Sequence, residues 1–143
     1  MEMAKHERCI DVLLVEDNRS DVLLVRTAFE ASHARVRLHV VSNGVAALDF
    51  VRQENPRPQL MILDVNLPNK NGLEVLAELK SDPKFAGLPI VMFSSSAASR
   101  DVEMAYRAHA CGYIQKPDNV DTFFAAIASF ERYWTQTVLL PAG

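Results

Sequence analysis

Short apolar runs in this chain hand over, one after another, to side chains that can do chemistry. Glu16 and Asp17 follow Ile10 to Val15, Asp64 follows Leu60 to Leu63, Ser94 closes the run that begins at Ile90, and Lys116 follows Gly112 to Gln115. Each alone has a plain explanation: Asp17 as a helix cap, Asp64 as a loop residue, Ser94 as a turn former, Lys116 as a solvated charge. Together they demand more. If the first and third runs are neighbouring strands, three carboxylates meet at one edge, and two unit charges about 4 Å apart at an effective dielectric of about 20 repel by roughly 4 kcal/mol. A hard dication relieves that repulsion. Mg²⁺ is held by one or two carboxylates, a carbonyl oxygen and waters, with phosphate oxygens of a substrate completing its octahedron. No histidine or cysteine stands near these ends to favour zinc or copper.

With magnesium expected there, the other groups take separate tasks. A carboxylate can attack phosphorus as a nucleophile and form an aspartyl phosphate. A metal ion and an ammonium group neutralise the equatorial oxygens of a transferring phosphoryl group. Lys116 is the one cation at the end of a run, and the Ser94 hydroxyl can donate to the same oxygens. The chemistry expected is therefore magnesium-dependent transfer of a phosphoryl group to an aspartate.

The elements that must position these groups read as a βα repeat. Apolar, β-branched blocks recur roughly every 25 to 30 residues with helical patterns between them: Ile10 to Val15, Val36 to Val41, Leu60 to Leu63, Ile90 to Phe93 and Gly112 to Gln115. Continuous apolar runs suit parallel strands covered on both faces. The second block partly alternates and is expected at an edge. Ser20 is expected to cap a first helix with Val22, Val25 and Phe29 on one face, and Ala46, Ala47, Leu48 and Val51 mark a second after Asn43-Gly44. Leu73, Leu76 and Leu79 belong to a third, which should stop at Asp82-Pro83 because proline disfavours helix in the residue before it. A fourth spans about Ser99 to His109, and a fifth begins near Asn119 and carries Phe123, Ile127, Phe130 and Trp134 at helical spacing. Such units with right-handed crossovers make an α/β fold, a doubly wound five-stranded parallel sheet with helices on both faces. Ligands of such sheets bind outside the carboxyl ends of the strands.

At 143 residues the chain is expected to form a single domain over 1–143, with a core of about 10–131 and a helix extension and tail over 132–143. The composition, 49% apolar and 23% charged, is that of a globular protein. Fifteen basic against 18 acidic residues give a net charge of −3, which excludes a general attraction to nucleic acid or anionic membranes. Cys9 and Cys111 lack paired spacing and read as small buried residues rather than disulfide partners or zinc ligands. No stretch approaches the roughly 20 apolar residues of a membrane span, and no apolar segment follows the charged Met1 to Arg8, so a cytoplasmic location is expected.

The chain resembles the receiver domain of two-component response regulators from Ile10 to about Phe130. The resemblance rests on Val15-Glu16-Asp17-Asn18, Leu63-Asp64-Val65-Asn66-Leu67-Pro68, Asn71-Gly72, the strand ending in Ser94, and Gly112-Tyr113-Ile114-Gln115-Lys116-Pro117. It implies a flavodoxin-like sheet in the order 2-1-3-4-5 with five helices. It implies Asp64 as the phosphoacceptor, Glu16 and Asp17 as the acidic pair that orients Mg²⁺ directly or through water, the Asn66 carbonyl as a metal ligand, and Lys116 as the lysine that pairs with phosphate. Ser94 resembles the switch hydroxyl and Tyr113 the aromatic that moves inward when that hydroxyl shifts, a two-state element biased by a local charge. Ser94 stands where threonine is commoner and Asn71 where aspartate is frequent; neither departure touches the acceptor.

Phe130 to Trp134 followed by Val138-Leu139-Leu140-Pro141, together with Glu16 to Asp21, resembles response regulators paired with bacterial phytochromes. That implies a phytochrome-type sensor histidine kinase as phosphoryl donor. The apolar extension has to be buried, and an exposed apolar patch commonly marks a partner surface. A homodimer through the extension and the face of the fourth helix, fifth strand and fifth helix is expected, with Tyr106, Phe124, Trp134 and Leu139 as contact candidates. The alternative is that Trp134 and the leucines fold back on their own domain. Other functions compete, because the fold alone decides none. Phosphatases with an aspartate nucleophile need a second aspartate two residues on, where this chain has Asn66. A receiver-like module that binds partners without phosphate, and an intermediate that relays phosphate to a histidine phosphotransfer protein, stay open. Flavin binding lacks a glycine-rich, phosphate-cradling loop. No DNA-binding or catalytic domain follows the pattern, so the expected output is a protein contact.

Overall fold

The computed structural model describes residues 9–53 and 56–141. Five strands, β1 (Ile10–Val15), β2 (Val36–Val41), β3 (Leu60–Leu63), β4 (Ile90–Ser94) and β5 (Gly112–Gln115), alternate with five helices, α1 (Arg19–Ala31), α2 (Gly44–Arg52), α3 (Gly72–Ser81), α4 (Ser99–Arg107) and α5 (Val120–Arg132). The sheet is parallel throughout, in the order β2-β1-β3-β4-β5, so β2 is an edge strand as expected.

The central strands are apolar on both faces because both faces are covered. Leu13, Val15, Met61, Leu63, Ile90 and Met92 pack with residues of α2, α3 and α4. The alternate residues Val12, Leu14, Leu60, Ile62, Val91 and Phe93 pack with Val25, Ala28 and Phe29 of α1 and with Phe123, Ile127 and Phe130 of α5. With period-two alternation, each strand serves both layers.

Asparagine opens α1, α2, α3 and α5. Asn18, Asn43, Asn71 and Asn119 each accept a backbone N–H of the first turn, which satisfies one of the donors a helix start leaves without a partner. The cap of α1 is therefore Asn18 and not Ser20, which lies within the helix; the Asn18 side-chain Oδ1 accepts from Asp21 N at 3.0 Å. α3 stops at Ser81, ahead of Asp82-Pro83. α4 ends at Arg107 rather than at His109, because His109 adopts φ 71°, the left-handed conformation that closes helices.

Neither cysteine is buried, contrary to the expectation from residue type. Cys9 immediately precedes β1 and Cys111 immediately precedes β5, and both are exposed. Both occupy the amino-terminal rim of the sheet, beyond the apolar layers that cover the strands.

After α5 the chain makes a π-helical turn, Tyr133–Thr137. The Thr135 hydroxyl donates to the Glu131 carbonyl at 2.7 Å and contacts Glu131 Oε1 at 2.9 Å; a hydroxyl bonded to the carbonyl four residues back distorts helices. Trp134 meets Phe130 and Tyr133 with ring centroids 6.3 and 5.1 Å apart. With Leu140 it packs against the core under α1 and α5, and Gln59 Nε2 donates to the Pro141 carbonyl at 3.1 Å. The extension thus folds back on its own domain through Trp134 and Leu140, while Leu139 remains 72% exposed. No helix among the described residues is long and apolar enough to cross a membrane.

Candidate functional site

β1 and β3 lie side by side with Val15 opposite Leu63, so Glu16 and Asp64 leave the sheet at the same height. Glu16, Asp17 and Asp64 each bring a carboxylate oxygen within 4.8 Å of the others. Glu16 and Asp64 are buried and Asp17 is exposed. β5 ends at the same edge, where Lys116 N donates to the Ser94 carbonyl at 2.8 Å. The Lys116 side chain then reaches back over the sheet. Its Nζ lies 2.8 Å from Asp21 Oδ2, 3.1 Å from Asp64 Oδ2 and 2.5 Å from Glu16 Oε1. The first two are aligned hydrogen bonds. The approach to Glu16 is misaligned, and Glu16 Oε1 is left buried without a hydrogen bond.

Burial pushes Glu16 up to about 7; pairing with Lys116 pulls it down, and the charge of Asp64 raises it again. Burial by itself would lower Lys116, but pairing with Asp21 and Glu16, with the charges of Glu16 and Asp64, holds it well above the usual lysine range. The ammonium therefore stays charged while it pairs with Glu16, Asp21 and Asp64, and Asp17 adds a fourth carboxylate beside Glu16 and Asp64. That imbalance, an all-oxygen donor set and one unbonded buried carboxylate oxygen fit a hard dication. Such a group would be held by Glu16, Asp17 and Asp64.

Asp64 is steadied from its own loop, where Asn66 N donates to Asp64 Oδ1 at 3.2 Å. Glu16 receives a matching bond from Asn18 N at 3.2 Å. Gly72 N donates to the Val65 carbonyl at 2.9 Å, which brings the start of α3 directly under this loop.

Residues 12–128 match the family described as the response regulator receiver domain. The chain belongs to that family. Response regulator Rcp1 of Synechocystis sp. is 38% identical over 137 residues, covering 92% of this chain and 93% of its own. A crystal structure of the Mn²⁺-bound form of Rcp1 matches with a TM-score of 0.88 at 37% identity, over 93% of this chain and 99% of that one. The phosphorylated cyanobacterial phytochrome response regulator RcpA matches with a TM-score of 0.89 at 37% identity, over 94% and 99% of the two chains.

The remaining residues expected to act in this receiver domain sit on β4, β5 and the loop between β4 and α4. Ser94 is fully buried at the end of β4, and its Oγ accepts from Ser96 N at 3.2 Å. Tyr113, half-buried on the neighbouring β5, donates its hydroxyl to the Ser96 carbonyl at 2.8 Å. Ser96 also donates its own hydroxyl to Asp101 Oδ2 at 2.7 Å. This ties the loop to α4, whose cap residue Ala98 offers no side-chain bond.

Sequence reasoning missed Ser96 and Asp21. Asp21 lies in the first turn of α1, where an acid reads simply as a partner of the helix dipole. Of the four contact candidates, Tyr106 and Leu139 are exposed, whereas Phe124 and Trp134 are partly buried against the core of their own domain.

Proposed function

We propose that this chain is a two-component response regulator. One receiver unit spans 1–143, with its core at about 10–131 and an extension and tail at 132–143, accepts a phosphoryl group on Asp64 from a sensor histidine kinase, and signals through protein contacts. The observation that carries this reading is the charged Lys116, 3.1 Å from Asp64 and paired also with Glu16 in a three-carboxylate cluster.

In the transfer, a carboxylate oxygen of Asp64 forms a bond to phosphorus as the bond from phosphorus to the donor's imidazole nitrogen breaks. Lys116 neutralises charge on the phosphoryl oxygens, and Ser94 donates its hydroxyl to the same group. Glu16, Asp17, Asp64 and the Asn66 carbonyl would hold Mg²⁺, which supplies further neutralisation of phosphoryl charge when bound. Moving the Ser94 hydroxyl toward the phosphoryl group breaks its bond to Ser96 N, and Tyr113, bonded to the same residue, follows. The protein is a phosphoacceptor rather than a turnover enzyme.

The likeness to RcpA supports a phytochrome-type kinase as donor, and pairing with such a kinase implies a cytoplasmic location. Exposed Met104 and Tyr106 on α4, with Leu139 on the tail, support a homodimer contact. The net charge of −3 supports neither nucleic acid nor anionic membrane as a partner.

The test is phosphorylation by acetyl phosphate with Mg²⁺, read by intact mass. The wild type is expected to gain one phosphoryl group, and Asp64→Asn none. Full labelling of the Asn variant overturns the acceptor assignment, and no adduct on the wild type favours a phosphate-independent binding module. Phosphotransfer from a panel of sensor kinases that includes a phytochrome identifies the donor.

A further inference from the structure

Asp21 stands outside the carboxylate cluster able to hold a metal, yet it accepts the shorter of the two aligned hydrogen bonds from Lys116. Its own placement is firm. Its backbone N–H is bonded to Asn18 in the first turn of α1, and its side chain is 19% exposed. Among the described residues Lys116 is its one ion-pair partner.

We propose that Asp21 is a positioning residue acting through Lys116: it holds the lysine in the resting protein and competes for it with the phosphoryl group, thereby setting how far phosphorylation proceeds. This rests on the phosphoacceptor reading of Asp64.

The argument is one of charge. The ammonium has three protons, and three carboxylates share it. Glu16 and Asp64 belong to the cluster that a dication can neutralise; Asp21 does not, so its compensation comes from Lys116. Phosphorylation replaces the single charge of the Asp64 carboxylate with a phosphoryl group carrying roughly two, and the added charge draws the lysine towards itself. Sharing then weakens the contact with Asp21 and leaves that carboxylate close to a second anion. Both effects raise the energy of the phosphorylated state relative to the resting one. Asparagine keeps an acceptor oxygen of the same reach and removes the charge. A residue serving solely as a first-turn acid for α1 would act on the stability of the helix and leave the affinity of the site alone.

The experiment titrates beryllofluoride, a phosphoryl mimic, into wild type, Asp21→Asn and Asp21→Ala at saturating Mg²⁺, followed by amide NMR. Urea denaturation of each protein without metal or mimic is measured in parallel. The expected result is affinity for the mimic raised about 3- to 10-fold in both variants, as loss of a partly buried competing ion pair allows, together with lower stability of the resting protein. These opposite signs separate competition from simple support of the fold. Unchanged or weaker affinity in both variants overturns the inference while the acceptor reading stands. A folded wild type that takes up no beryllofluoride overturns the acceptor reading, and this inference with it.

Discussion

Gly72 lies against the backbone of Asp64 with no room for a side chain: a Cβ there would sit 1.9 Å from the Asp64 carbonyl oxygen and 2.8 Å from its carbonyl carbon. The obstructing atoms are backbone, so no rotamer change relieves them. Gly72 also donates to the Val65 carbonyl at 2.9 Å, so separating the two segments breaks the bond that locates the Asp64 loop. Gly72→Ala is therefore expected to cost about 3 kcal/mol, the upper range for overpacking a tight site, and to slow phosphorylation of whatever folds. Urea denaturation checks the first expectation and labelling with acetyl phosphate the second. A variant with wild-type midpoint and labelling would show that the loop can relax.

Lys116 opposes the same dication that Glu16 and Asp64 attract, since it already neutralises both. In Lys116→Ala the metal meets the carboxylates without a competing cation, and Mg²⁺ or Mn²⁺ should bind more tightly. Phosphorylation should nonetheless slow by about 10²-fold, the scale of losing one donor that stabilises transition-state charge. Calorimetric metal titration and mass-spectrometric labelling measure the two quantities. A fall in both would assign the lysine to holding the site together rather than to the transfer.

What could be read from the sequence follows from where each contact originates. Asp64 and Lys116 were legible because each ends an apolar strand run, and strands of a parallel sheet deliver their ends to one edge. The caps at Asn43, Asn71 and Asn119 coincided with turn residues visible in the sequence. Asp21 was not legible: its partner is 95 residues away, and the pairing depends on how α1 packs beside α5, which no local pattern encodes. Ser96 was hidden for a similar reason, since its role arises from bonds to Ser94, Asp101 and Tyr113 on three different elements. Burial of Cys9 and Cys111 was misjudged because residue type says nothing about position on the sheet rim.

Asp11 provides a pH signature away from the site. Arg37 grips it through two bonds of 2.9 and 3.0 Å, and His39 Nε2 lies 3.0 Å from the same carboxylate. Arg37 in the first place, then His39, hold the Asp11 carboxyl below its usual value of 3.8, against the opposing effect of burial. A carboxylate depressed in the folded state stabilises the protein above its unfolded value, and that contribution disappears as pH falls through the folded one. The stability advantage of wild type over Asp11→Asn should therefore shrink as pH is lowered from about 5 towards 3. Urea midpoints across that range test it; an advantage that widened on acidification would contradict the assignment.

The extension after α5 separates two roles that its apolar composition leaves merged. Trp134 packs on Phe130 and the core under α1, whereas Leu139 is 72% exposed and Tyr106 51% exposed. Removing a half-buried indole leaves a cavity and loses apolar burial, so Trp134→Ala is expected to cost about 3 kcal/mol, with no dependence on protein concentration. Leu139→Ser and Tyr106→Ser remove exposed apolar surface and should alter stability by less than about 0.5 kcal/mol. If these side chains form the proposed homodimer contact, both serine variants weaken self-association in sedimentation measurements while Trp134→Ala weakens it in proportion to the unfolded fraction. Wild-type self-association in both serine variants would move the contact to another face and leave Trp134 with its structural role alone.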